Sequence, residues 1–158
     1  MGYSPIGAIG GGMLAAVVTA LFLYAVLVVL PQGGKLDALK YLGLDLAPSG
    51  PGWLTYALGA TFMLVLGALF GLVHAALYHL FEVETDIIVW GALFGLAQWL
   101  LDGALLGWLG RRHPAVRAER IRDPGAYVLK MPLSAVVTFL GIHILFGMFA
   151  GAFYDAFR

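Results

Sequence analysis

The sequence predicts an all-α membrane protein, with four transmembrane helices in an antiparallel bundle and a short interfacial helix at 35–44. Three observations predict it. Of 158 residues, 61% are hydrophobic and 11% charged, where a soluble domain carries about 25% charged residues. The apolar residues fall into four runs long enough to cross the hydrocarbon core of a bilayer. Glycine is abundant, at 22 residues, which suits helices packed closely in lipid, where van der Waals contact replaces the hydrophobic drive. The chain has no cysteine, which removes disulfides, thiolate chemistry and iron–sulfur ligation, and its net charge of zero gives no sign of nucleic acid.

The chain reads as a single transmembrane domain over 1–158. The first span, about 5–30, lacks the basic leader region and small-residue cleavage site of a signal peptide. It carries Gly7 and Gly11 four residues apart, and its stripe Ala8, Gly12, Ala15 and Thr19 is small throughout. The connector that follows places Leu36, Leu39 and Leu42 at helical spacing. That pattern fits either a short helix lying on the membrane surface or a polar loop with one helical turn. The run Pro48-Ser-Gly-Pro51-Gly ends it.

The second span, about 53–81, aligns Gly67, Gly71, His74 and Tyr78. An acidic turn, Glu82-Val-Glu-Thr-Asp86, leads into the third, about 86–109. There Gly91, Gly95, Gln98 and Asp102 share one face, with a second glycine pair at Gly103 and Gly107. The hexapeptide Gly-Ala-Leu-Phe-Gly-Leu occurs at both 67–72 and 91–96. Consecutive spans run in opposite directions, so the repeat reads as a shared packing rule rather than a duplicated hairpin. The fourth span, about 131–157, aligns His143, Gly147, Gly151 and Tyr154. A glycine pair in every span argues for a compact bundle.

Lysine and arginine set the expected orientation. Lys35 and Lys40 follow span one, whereas Arg111, Arg112, Arg117, Arg120, Arg122 and Lys130 follow span three. The positive-inside rule then places both basic connectors in the cytoplasm and both termini outside; the expected location is the inner membrane of a prokaryotic cell. The second connector is also a candidate site for anionic lipid head groups; the competing reading is that its charges only fix topology.

Candidate functional residues are few. At 1.5 Å per residue, His143 lies roughly 17 Å above the cytoplasmic end and His74 about 30 Å. Two axial haem ligands need nitrogens about 4 Å apart, with iron–nitrogen bonds near 2 Å, so these two histidines do not share one iron. A single-histidine ligand to a haem or chlorophyll-type pigment remains as an alternative. His74 with His79, Glu82, Glu84 and Asp86 matches no metal motif, and no metal site is expected. Thr19, Gln98 and His143 all fall near mid-membrane. They read as a polar layer that fixes helix register, or as a relay or polar cavity. Asp102 lies about two turns from the cytoplasmic end, within reach of Arg111, Arg112 or water. Alone in lipid it would hold its proton, because loss of water disfavours the charged form. No nucleophile, phosphate loop or zinc-protease spacing is present, so no enzyme is expected.

From Trp90 onward, Gly-Ala-Leu-Phe-Gly-Leu at 91–96, His113-Pro114, Pro124-Gly125 and Gly-Ile-His-Ile-Leu-Phe-Gly at 141–147, with Gly151 and Tyr154, resemble a family of small four-helix bacterial and archaeal membrane proteins, YagU-like in style. The opening Gly-Tyr-Ser-Pro-Ile-Gly-Ala-Ile-Gly-Gly-Gly is similar too. Relatives of that kind often carry histidine where this chain has Gln98, and the resemblance implies no activity. The sequence thus favours a non-catalytic accessory or assembly subunit of a larger respiratory or photosynthetic membrane complex, with membrane lipids and other membrane-protein subunits as partners. A small carrier or channel using Asp102, Gln98 and His143 is the first alternative, and the pigment-binding subunit the second.

Overall fold

The structure, a computed structural model, describes residues 3–29 and 36–158. Four long helices, α1 (Pro5–Val29), α3 (Gly52–Leu80), α4 (Ile87–Gly110) and α6 (Leu133–Phe157), are long and apolar enough to cross a membrane. The chain is an all-α, multi-pass membrane protein. Two short helices, α2 (Ala38–Leu46) and α5 (Pro114–Arg117), and a 3-10 turn at Ala126–Val128 lie in the connectors. Proline marks the starts: Pro51 and Pro132 directly precede α3 and α6, and Pro114 opens α5, where a missing N–H costs nothing.

Glycine decides which helices touch. The face Ala8, Gly12 and Ala16 of α1 meets Gly67 and Gly71 of α3, and a side chain added at Gly12 would strike the Gly67 carbonyl. A second face of α1, Gly7 and Gly11, abuts the backbone of α6 at Phe157 and Tyr154. On α6, Gly147 and Gly151 lie against α4 at Gly91, Gly95 and Ile87. The order around the bundle is therefore α3, α1, α6, α4. The smooth face of α3 is spent on α1 and that of α4 on α6, so these sequence neighbours keep only bulky surfaces for each other. They meet at one end, where Tyr78 and Phe81 contact Phe94 and Trp90, and a wedge opens beneath. The two copies of the repeated hexapeptide thus do one job against different partners.

The remaining glycine pair behaves differently. Gly103 and Gly107 do not face another span: Tyr127 and Ala126 of the second connector fill the space beside them, and the Tyr127 hydroxyl donates to Leu100 O at 3.0 Å. The expectation of helix–helix packing there is corrected to loop packing. The loop reaches this position through left-handed backbone at Gly125, Tyr127 and Val128.

The first connector also differs from a helix flat on the surface. Helix α2 runs antiparallel to the first turns of α3, with Gly43 against Thr55 O and Gly59 against Leu39 O. Lys35 and the rest of 30–35 lie outside the described residues. Asp37 caps α2 by accepting from Lys40 N at 3.0 Å, and it also accepts the hydroxyls of Tyr24 at 2.5 Å and Tyr56 at 2.6 Å. One carboxylate therefore ties the ends of α1, α2 and α3 together. His113, buried to 3% exposure, joins the two connectors. Its Nδ1 accepts from Ala115 N, so Nε2–H donates to Tyr41 O at 2.9 Å. The Tyr41 hydroxyl beneath it is pushed up to about 12 by burial.

The backbone contacts predict a contrast between glycines. Gly147→Leu should lower the unfolding free energy in detergent by about 1–3 kcal/mol or more, through overpacking against Gly91. Gly141→Ala, where an added methyl meets nothing within 4 Å, should leave stability unchanged or raise it by up to about 1 kcal/mol. Equilibrium unfolding of both variants measures the difference.

Candidate functional site: a proton-holding pair beside an intramembrane cavity

Helices α4 and α6 are antiparallel, and helical side chains lean toward their own N-termini. Asp102 on α4 and His143 on α6 therefore lean toward each other and meet, with His143 Nε2 3.1 Å from Asp102 Oδ2. Gln98, one turn along α4, donates from Nε2 to the same oxygen at 3.2 Å. His143 Nδ1 lies 2.7 Å from Phe139 O. A carbonyl only accepts, so Nδ1 carries a hydrogen.

That last bond constrains how many protons the pair shares. With Nδ1 protonated, the 3.1 Å contact needs one further proton between Nε2 and Oδ2. It sits either on the carboxyl, beside a neutral imidazole, or on the imidazole, beside a carboxylate. Both arrangements carry one shared proton and no net charge, the state that costs least in a medium of low dielectric.

The pair borders an open pocket, or cavity, of about 130 Å³ in the wedge between α3 and α4. Thr19 of α1, Leu42 of α2, Met63 and Phe70 of α3, Gln98 of α4 and Phe146 of α6 are among its walls. The lining is mostly carbon, but Thr19 Oγ1 and Gln98 Oε1 are buried with no hydrogen-bond partner. Asp102 and His143 are the only titratable groups among the lining residues.

Above the cavity lies an aromatic layer. His74 is 2% exposed, and its ring is edge-on to Phe94 at 6.1 Å and Phe146 at 5.7 Å. Its Nδ1 bonds Phe70 O at 2.9 Å, which leaves Nε2 as a bare acceptor with no partner. Tyr78, 5.3 Å from Phe94, links this layer to a larger recess of about 450 Å³ at the opposite end, bordered by Tyr3, His79, Glu82, Glu84, Tyr154 and Arg158.

The structure thus gathers Thr19, Gln98, Asp102 and His143 around one cavity and sets His74 one layer away. It does not bring Asp102 to the arginines. Arg111 Nε donates to Gly107 O at 3.1 Å, while Arg112 donates to Trp108 O at 3.3 Å and lies 4.1 Å over the Trp108 ring. Both satisfy carbonyls at the C-terminus of α4. Lys130 pairs with Asp123 and holds that carboxyl below the usual carboxylate range, aided by Gly125 N. Arg117, Arg120 and Arg122 are exposed at the same end. As a pigment ligand, His143 has both ring nitrogens committed, and His74 is enclosed by Phe94 and Phe146. Among the described residues no three histidine, aspartate or glutamate side chains are grouped to hold a metal ion.

Sequence reasoning missed Asp37, Tyr24 and His113 as organising groups. Only the His113-Pro114 step, a capping residue ahead of a first-turn proline, signalled one of them.

Fold and site together define a small multi-pass α-helical membrane protein with a carboxyl–imidazole pair inside its bundle. No protein-family model, curated protein or solved structure matches the chain.

The hydrogen bonds predict the state of each buried ring. With nitrogen-15-labelled histidine, His74 and His143 should carry a proton on Nδ1, His113 on Nε2, and His74 Nε2 should resonate as an unprotonated nitrogen. An Nε2-protonated His74 would contradict the arrangement.

Proposed function

We propose that this protein is a small proton-linked membrane carrier with Asp102 and His143 as its proton site. One observation carries the reading: Asp102 and His143 meet at 3.1 Å, a geometry that calls for one shared proton, beside a pocket in the bundle that also contains unpartnered polar atoms. Ionisable groups inside a membrane are costly and mark pathways for protons, ions or solutes. The site lies roughly 15 Å along α6 from Leu133, near the middle of the span, where a carrier must hold its cargo. The recess at the acidic end, the aromatic layer and the pocket beside the pair follow one another along the bundle. Such a sequence suits a carrier in which the aromatic layer separates the cavity from one face of the membrane.

This geometry shifts preference from the accessory-subunit reading to the carrier reading. With the basic connectors in the cytoplasm, as the positive-inside rule requires, the recess bordered by Glu82 and Glu84 faces outward and the cavity lies toward the inside.

The test is proton movement in liposomes containing the purified chain. A trapped pH dye reports the lumen while small amines, monocarboxylates, amides and alkali ions are added outside one class at a time. At least one class should move protons through the wild type, and Asp102→Asn should slow that movement at least tenfold without altering the fold. Equal rates in wild type, variant and empty vesicles for every class would overturn the proposal.

A further inference from the structure

We infer that the cavity takes a small monovalent cation bearing N–H groups, of guanidinium or ammonium type, in exchange for the proton of the Asp102–His143 pair. The inference rests on the carrier reading and names its cargo.

The chemistry of the wall selects the ligand. Gln98 turns its NH₂ toward Asp102 and leaves Oε1 without a donor. Thr19 Oγ1, on a residue 3% exposed, is likewise unpartnered. The Thr19 hydroxyl can donate or accept, whereas Gln98 Oε1 and the Asp102 carboxylate only accept, so the partner these oxygens suit best is rich in donors. An anion would find a carboxylate and an amide carbonyl facing it. A hard metal ion takes about six or more oxygens, and the rest of this wall is carbon. The rings of Phe70 and Phe146 border the same cavity and offer aromatic faces to a cation. Size adds a guide: a cavity of about 150 Å³ holds benzene, so a pocket of about 130 Å³ matches a cation of roughly six heavy atoms.

Charge balance gives the exchange ratio. The pair with its proton is neutral. When a monovalent cation binds the Asp102 carboxylate, the shared proton leaves from between Nε2 and Oδ2. His143 remains as neutral imidazole, its Nδ1–H still on Phe139 O. The site is neutral before and after, one proton is released for one cation bound, and no covalent bond forms besides the N–H or O–H bonds of the moving proton. Neutrality in both states is what a low-dielectric interior demands.

Guanidinium is the probe, because it stays charged and does not cross lipid as a neutral base. Liposomes holding the full chain and a trapped pH dye, clamped at zero potential with potassium and valinomycin, receive millimolar guanidinium outside. The lumen should become alkaline at least tenfold faster than in empty vesicles. Asp102→Asn should abolish the effect. Gln98→Leu and Thr19→Val should each raise the half-saturating concentration about tenfold, the equivalent of one hydrogen bond to a charged group, with melting temperatures in detergent checking that each variant folds. Proton movement driven by another solute class and dependent on Asp102, but not by guanidinium, overturns the cargo and leaves the carrier standing. Equal movement with sodium also overturns it, as does guanidinium-driven movement that survives Asp102→Asn. Failure of every solute overturns cargo and carrier together.

Discussion

Where α4 crosses α6, Gly91 and Gly95 rest against the backbone at Gly147 and His143, so main chain touches main chain with no side chain between. In lipid there is no hydrophobic drive to hold two apolar helices together, and close approach must supply the contact energy instead. That approach has a second consequence. It brings a carboxyl on one helix within hydrogen-bond distance of an imidazole on the other, at a depth where neither could be left without a partner. Packing and polar pairing fix the same register, and a slip of one helical turn would lose both.

The way smooth faces are shared out around the bundle also creates the cavity. Helix α1 carries two small-residue faces and so sits between α3 and α6. Because α3 and α4 have already spent theirs, they splay apart below Phe94 and Tyr78. The wedge is a by-product of close packing elsewhere, and it falls beside the polar atoms of Thr19, Gln98, Asp102 and His143. Above it, His74 and its aromatic neighbours form a layer without an acceptor-to-donor chain through it, since His74 Nε2 has no partner. A proton or solute crossing that layer would require rearrangement there.

Much of this architecture is legible in one dimension. Hydropathy and length place the four spans within a residue or two of α1, α3, α4 and α6, and the 3.6-residue period groups Gly91, Gly95, Gln98 and Asp102 on one face. Depth alone puts Thr19, Gln98 and His143 in a common layer. The Asp102–His143 contact is harder to see. Counted from the basic end, the two backbones differ in depth by roughly 5 Å, and the gap closes only because antiparallel helices lean their side chains toward each other. The order of helices around the bundle depends on which glycine face meets which, and five helix faces of similar composition give no local clue. The docking of α2 on α3 rests on Gly43 and Gly59, far apart in sequence, and the loop that fills Gly103 and Gly107 depends on left-handed backbone at Tyr127 and Val128 that those residue types do not advertise.

The account stands on energetic coupling between Asp102 and His143 across the α4–α6 contact. A double-mutant cycle with Asp102→Ala, His143→Ala and the double variant, measured by equilibrium unfolding in mixed micelles, reads that coupling directly. It should amount to about 1.5–3 kcal/mol, the range of a charge-assisted hydrogen bond in a buried setting. Single losses that add to within about 0.5 kcal/mol would show that the two side chains do not act as a pair, and would contradict the account.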